Sequence, residues 1–366
     1  MRFHWFLPTT GDGHQVRPVM TTTGTDPIVG APRPATVGYL TQVARAAEES
    51  GFEAVLTPVG SGCPDPLVVC AAVAQHTERL KLLVAFRPGF VLPTVLAQQA
   101  QAFQAVSGDR LLLNAVTGGD PREQRAFGDF LDHDARYART DEFLEVLRRS
   151  FAGQPFDFAG AHYRVEGGGL VKPLTNVPEV YFGGASPAAE RVAAGQADVY
   201  LMWGEPPAAI AERIARIRAA AAAEGRTLRL GIRLHVIARD TADEAWGETE
   251  RLLAQMKPEQ IAAAQARFAR MDSVGQQRMA SLHNGRSADL EIAPNLWAGV
   301  GLVRDGAGTA LVGSYADVEE RIREYAALGI DEFILSGWPH LEEAYRVGEY
   351  LLPLLARDRA ALPVGG

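Results

Sequence analysis

Two runs, Lys81-Leu-Leu-Val-Ala-Phe86 and Arg110-Leu-Leu-Leu-Asn-Ala-Val116, with a helix opened by Pro93 between them, decide the fold. Both runs are apolar almost throughout, so neither suits a sheet with one face in water. Each needs cover on both faces, which is the signature of parallel strands flanked by helices. The same unit recurs in both directions along the chain. Before it lie Phe3-His4-Trp5-Phe6-Leu7, stopped by Pro8, and Ala54-Val55-Leu56. An amphipathic helix over Val37 to Ser50 ends at Gly51, and another begins near Asp65. After it come strands at Val180–Phe182, Val199–Leu201, Leu228–Ile237 and Glu332–Leu335. Helices fit Ser186–Ala194, Pro207–Ala223, Ala316–Leu328 and Leu341–Leu354. Eight apolar strands alternating with helices predict an α/β chain folded as a (β/α)8 TIM barrel, with a doubly wound open sheet as the rival.

Two stretches break the rhythm. Pro155 to Val165 predicts a small hairpin turning at Gly160. Residues 242 to about 308 are far too long for a strand-to-helix connection, so they are read as an insertion after strand seven that serves as a lid over the barrel mouth. The whole chain, 1–366, is read as one domain carrying that insertion.

Composition narrows the partners. A net charge of −8 over 366 residues gives no basic field for nucleic acid. No apolar run approaches the ~20 residues that cross a bilayer, and the N-terminal apolar run is too short for a signal peptide. With Cys63 and Cys70 as the only cysteines, no disulfide framework is expected, and the expected location is the cytoplasm. Asp12 with His14, and Asp132-His133-Asp134, offer ligand atoms at no metal-site spacing, so no metal is expected.

Barrel enzymes work at the carboxyl ends of their strands. Those ends here carry Pro8–His14, Thr57–Cys63, Arg87, Asn114–Asp120, Phe182–Ser186, Trp203, His235 and Trp338. Gly183-Gly184-Ala185-Ser186 opens a helix, where amides and a hydroxyl suit a phosphate, or simply turn the chain with Ser186 as cap. Asn114 to Asp120 is a second glycine-rich strand end, suited to a ring's polar edge or to a turn. Arg233 and His235 stand two apart on one strand, so both are expected to face one cavity as an anion clamp beside a titratable base. An arginine paired to a neighbouring acid, with a core histidine, is the structural alternative. On spacing alone Arg304 reads as a solvated lid charge and Cys63 as a small residue lining the site.

Longer motifs add a resemblance. Phe6-Leu-Pro-Thr9, Gly11-Asp-Gly-His14, Leu131-Asp-His133, Arg136-Tyr137, Tyr181-Phe-Gly-Gly184, Trp203-Gly-Glu-Pro206, Gly231–Ile237, Asp272–Arg278, Pro294–Arg304 and Pro339–Arg346 together resemble the flavin-dependent alkanesulfonate monooxygenases of the bacterial luciferase-like superfamily. The resemblance implies a two-component system. A separate NAD(P)H-dependent FMN reductase supplies FMNH2, and O2 is used to cleave a small organosulfonate to aldehyde and sulfite in a homodimer or homotetramer. It also implies that Arg233 and Arg304 hold anionic charge, that His235 orients substrate or moves a proton, that Trp203 walls the pocket, that Cys63 lies near the flavin ring, and that Trp338 stands at the catalytic pocket. Asn114, Thr117, His133, Tyr137, Gly184 and Ser186 would hold the flavin. Two positions depart from the family pattern: Trp338 stands where tyrosine is usual, and Thr10 where histidine is frequent. A deazaflavin-dependent hydride transfer on the same fold is the competing function.

Overall fold

The computed structural model describes residues 1–16 and 31–357. Strands β1 (Arg2–Phe6), β2 (Ala54–Thr57), β3 (Lys81–Phe86) and β4 (Leu111–Ala115) form half of the barrel. After a hairpin of β5 (Phe156–Ala159) and β6 (Arg164–Gly168), β7 (Val180–Gly183), β8 (Val199–Trp203) and β9 (Arg229–Arg233) continue it. A second small sheet holds β10 (His235–Arg239), β11 (Glu291–Ala293), β12 (Leu296–Trp297) and β13 (Ala310–Ser314), and β14 (Glu332–Leu335) closes the barrel against β1. All barrel pairings are parallel, in the order β1-β14-β9-β8-β7-β4-β3-β2, so the open-sheet alternative is excluded.

The crossover helices are α1 (Val37–Glu49), α2 (Pro66–Ala74), α3 (Pro93–Ser107), α4 (Pro121–Ala126), α5 (His133–Phe151), α6 (Pro187–Gln196) and α7 (Pro207–Ala223). The segment between β10 and β14 carries α8 (Ala242–Ala254), α9 (Pro258–Phe268), α10 (Val274–Ser281) and α11 (Tyr315–Ala327), and the chain ends in α12 (His340–Arg346) and α13 (Leu352–Ala356). Between the last two lies one π turn, Val347–Leu351. Pro353, at the start of α13, has no N–H to continue the regular ladder, so the single expected helix is broken there. Helix α5 was not anticipated, because its charged residues outweigh its apolar ones. Phe143, Leu144, Leu147 and Phe151 nevertheless recur at helical spacing and are buried.

Strand alternation sets two apolar layers. Phe6, Leu56, Leu83, Leu112, Tyr181 and Ile334 fill the barrel interior, while Trp5, Val55, Leu82, Leu113, Phe182 and Phe333 pack outward with the helices. The expected seventh strand, Leu228–Ile237, is in fact two. At Leu234 the chain leaves the barrel ladder, and His235 to Arg239 pair with Ala310 to Ser314 of β13 in the outer sheet. The insertion is therefore anchored by a sheet of its own, beneath which Ile237, Leu252, Trp297, Leu302, Val312 and Trp338 form a further core.

Candidate functional site

The carboxyl ends of the strands surround a cavity of about 300 Å³. Of the residues expected at the site, Asn114, Thr117, His133, Tyr137, Gly184, Ser186, Trp203, Arg233 and Arg304 line this one cavity. Thr117 and Asn114 stand at or just beyond the end of β4 and are nearly buried. His133 and Tyr137 lie one turn apart on α5, with ring centroids 4.8 Å apart.

Gly184 and Ser186 connect β7 to α6. Ser186 Oγ accepts from the Ala189 amide at 3.1 Å and caps the helix. At Gly184, φ is +151° and an added Cβ would fall 2.5 Å from the Ala189 methyl and 3.1 Å from the Tyr137 hydroxyl. Glycine alone leaves this cradle open. Burial pushes the Tyr137 pKa up to about 12, so its hydroxyl remains a neutral donor at physiological pH. Helix N-terminus, serine, tyrosine and bare backbone together fit an anionic group such as a phosphate.

Arg233 and Arg304 make a second anion-receptive region. Their guanidinium carbons lie 4.9 and 5.3 Å from the Phe6 ring centroid, and both residues are at least nine-tenths buried. Arg233 donates to the Leu234 carbonyl at 2.6 Å and to Ser336 Oγ at 2.8 Å. Among the described residues it has no carboxylate partner, so the structural alternative of a paired core arginine does not hold there. Burial, then Arg304, pulls the Arg233 pKa well down. Burial takes Arg304 to about 10. Arg233, buried with no carboxylate partner among the described residues, is costly to keep charged, and an incoming anion relieves that cost.

His235 is not on the cavity wall. Its Nε2 lies 3.0 Å from the Ala307 carbonyl and its Nδ1 2.7 Å from Ser336 Oγ. A carbonyl only accepts, so Nε2 carries the proton; Nδ1 then accepts from Ser336, which accepts from Arg233. The expectation that side chains 233 and 235 share the cavity fails because the chain changes sheets between them. Burial, with Arg233 and Arg304, drives the His235 pKa well below its usual value. It is a neutral spacer that holds Arg233 on one side and the Ala307 loop on the other. Trp338 stacks on His235 at 4.5 Å, behind the site. Cys63 also stands back from the lining residues; burial pushes its thiol up to about 11, leaving it protonated. Thr10 does not line the cavity either.

Several lining residues escaped the sequence reading. Glu123 pairs with Arg87 inside the wall and accepts from the Ser61 amide at 2.8 Å. An arginine directly after an apolar strand was the available signal for this pair. Met271, Ser273 to Gln276, and Arg304 to Ala307 bring the insertion onto the cavity. The Asp272 amide donates to the Gly119 carbonyl at 3.1 Å, where a Cβ on Gly119 would sit 2.5 Å from Ser273 Cβ. Arg136 holds Asp272 at 2.6 Å, and Glu205 receives Arg213 at 2.6 Å and Arg278 at 2.5 Å. These contacts tie the insertion to the barrel rim.

A β/α barrel with two separate anion-receptive regions at one carboxyl-end cavity has a geometry that suits ligands carrying negative charge. The chain belongs to the luciferase-like monooxygenase family, whose profile matches residues 1–332. Similar solved structures include riboflavin lyase, solved with modified FMN and its substrate riboflavin, at 20% identity and TM-score 0.80 over 100% of this chain and 93% of that one. EDTA monooxygenase from Chelativorans sp. BNC1 aligns at 20% identity and TM-score 0.77, covering 99% and 95%. A coenzyme F420-dependent secondary alcohol dehydrogenase aligns at 14% identity and TM-score 0.66, covering 97% and 98%. At these identities the structures establish a shared fold.

Proposed function

We propose that the protein is a reduced-flavin-dependent monooxygenase that cleaves the carbon–sulfur bond of an alkanesulfonate or related small organosulfonate, using O2 and releasing an aldehyde and sulfite. The observation that carries this reading is Arg233, buried at the cavity wall beside Arg304 with no carboxylate partner among the described residues. A sulfonate is anionic at every biological pH, and the planar donor forks of two guanidinium groups match its oxygens. Family membership supports the redox class.

The residues present fit FMN: Gly184, Ser186 and Tyr137 for the phosphate, and Asn114, Thr117 and His133 for the polar edge of the ring. Reduced FMN, delivered by a separate NAD(P)H-dependent reductase, supplies the activation of O2. The chain's own residues do the rest. Arg233 and Arg304 bind and orient the sulfonate, with the Phe6 ring against both cations. Trp203 walls the pocket. The insertion residues around Ser273 and Ala307 exclude water, which protects a reactive site from unproductive hydrolysis. His235 keeps Arg233 in register through Ser336 and moves no proton. A homodimer or homotetramer in the cytoplasm accords with the same reading; no helix among the described residues is long and apolar enough to cross a membrane.

The test is a screen of diverse sulfonates for sulfite release with the full chain, a flavin reductase, FMN, NADPH and O2. Sulfite that depends on FMN is expected. Absence of sulfite throughout, with turnover sustained instead by reduced deazaflavin, replaces this reading with hydride transfer.

A further inference from the structure

Helix α7 carries an arginine on its buried face, where Arg213 falls in one stripe with Ile210, Ile214 and Ile217. Its side chain is 3% exposed, and it lines the cavity together with Gly183 to Ser186. A charge in such a stripe needs a partner, and Glu205 supplies one at 2.6 Å. That contact engages only Nη2. Nε is enclosed and unpartnered, whereas Nη1 keeps accessible surface and makes no hydrogen bond among the described residues, so it is the donor left to the cavity. Tyr200 fixes which end of the cavity this is: its hydroxyl donates to the Gly184 carbonyl and lies within electrostatic reach of Arg213.

The carboxylates nearby are already met. Arg278, from α10 of the insertion, donates from Nε to both Glu205 oxygens, at 3.1 and 3.0 Å. Glu190, in the first turn of α6, is held by Arg216 at 3.0 Å. Two arginines on one carboxylate leave a positive charge in excess, beside a helix N-terminus that itself favours anions. We propose that Arg213 is the cation that receives the flavin phosphate, with Glu205 as its positioning residue, so that the cavity selects FMN over unphosphorylated flavin and Arg278 tunes that selection from the insertion. The phosphate takes the Nη1 donor while Nη2 stays on Glu205, a use that the guanidinium fork allows. Without Arg278 the whole Glu205 charge falls on Arg213, and its field at the phosphate weakens. This rests on the reading of the cavity as a flavin site.

The test compares two flavins that differ only in the phosphate. The full chain is titrated anaerobically with reduced FMN and, separately, with reduced riboflavin, and binding is followed by quenching of tryptophan fluorescence, since Trp203 lines the cavity. Wild type should bind reduced FMN about 100-fold more tightly than reduced riboflavin. Arg213→Gln should weaken FMN by about 30-fold and leave riboflavin unchanged, so the ratio of the two affinities collapses. A purely structural arginine would weaken both flavins alike. Arg278→Gln, at a side chain that is 39% exposed, should lower FMN affinity by about three-fold with riboflavin again unchanged. A ratio that survives Arg213→Gln overturns the inference; where that variant does not fold, a ratio that survives Arg278→Gln does so. Wild type that binds both flavins equally overturns it as well. Failure of wild type to bind either flavin overturns the flavin reading of the cavity instead.

Discussion

Arg229 and Arg233 sit four residues apart on β9 and point into the same barrel, one to its floor and one to its mouth. At the floor, Arg229 Nη1 lies 3.2 Å from Glu332, whose other oxygen meets His4 at 2.9 Å and the Tyr181 hydroxyl at 2.8 Å. Glu179 adds a further carboxylate at 2.7 Å from Arg229. At the mouth, Arg233 meets only a carbonyl and a hydroxyl at close range. The two residues are alike in type and strand. The difference teaches that burial of a charge does not by itself mark a site. At the floor the buried charge is Glu332, neutralised within the fold by His4 and the part-exposed Arg229, and it helps plug the barrel. The buried Arg233 at the mouth lacks a carboxylate among the described residues and is available to a ligand.

The comparison breaks most readily at the floor. Glu332→Ala strands His4 and Arg229 beside a void and should cost about 4 kcal/mol of stability in denaturant unfolding, with sulfonate affinity unaltered in whatever protein folds. A loss of affinity with little loss of stability would reverse the roles assigned to the two ends.

At the mouth the signs exchange. Arg233→Ala should weaken sulfonate binding and sulfite release by roughly 100-fold, equivalent to about 3 kcal/mol, without lowering the melting temperature, because it removes an uncompensated buried charge. Unchanged turnover would take Arg233 out of the mechanism.

Acid sharpens the contrast. Burial pushes the Glu332 carboxyl up, but His4, Arg229 and Tyr181 outweigh it, so its folded-state pKa lies below the ordinary value. A depressed pKa gives stability that is complete above the unfolded glutamate value of about 4.3 and is lost as pH falls through the folded one. The stability gap between wild type and Glu332→Gln should therefore narrow as pH drops from about 6 to 3. A constant gap would deny the floor its electrostatic role.

The smallest effect concerns His235. His235→Ala should raise KM by about ten-fold, on the order of the 1.4 kcal/mol of one well-made hydrogen bond to a charged group's partner, and leave the shape of the pH profile unchanged. A displaced acidic limb would mean that the imidazole titrates in turnover after all.

Much of this was legible beforehand. The apolar runs at 81–86 and 110–116 admit only strands covered on both faces, and Gly51 ends α1 where a left-handed residue was needed. The cradle at Gly184 and Ser186 was visible as a glycine pair before a helix cap. The insertion announced itself by length alone. The place of His235 was not legible, because spacing of two guarantees a shared face only while both residues remain in one sheet. Trp338 and Cys63, close to the site in sequence, stand behind its wall for similar reasons of packing. Arg213 was hidden by its surroundings: one arginine in an alanine-rich helix reads as solvated until α7 docks and Glu205 meets it.

The sequence by itself determined the periodicity, and hence the alternation of doubly covered apolar strands with helices and the strand ends from which the functional side chains emerge; the closure of those strands into a barrel came from their pairing. Tertiary structure alone decided which of those side chains face the cavity, which support others, and which charges find partners. Periodicity is a local property of the backbone, whereas the neutralisation of a buried charge depends on residues more than a hundred positions away, as Glu332 lies from Arg229.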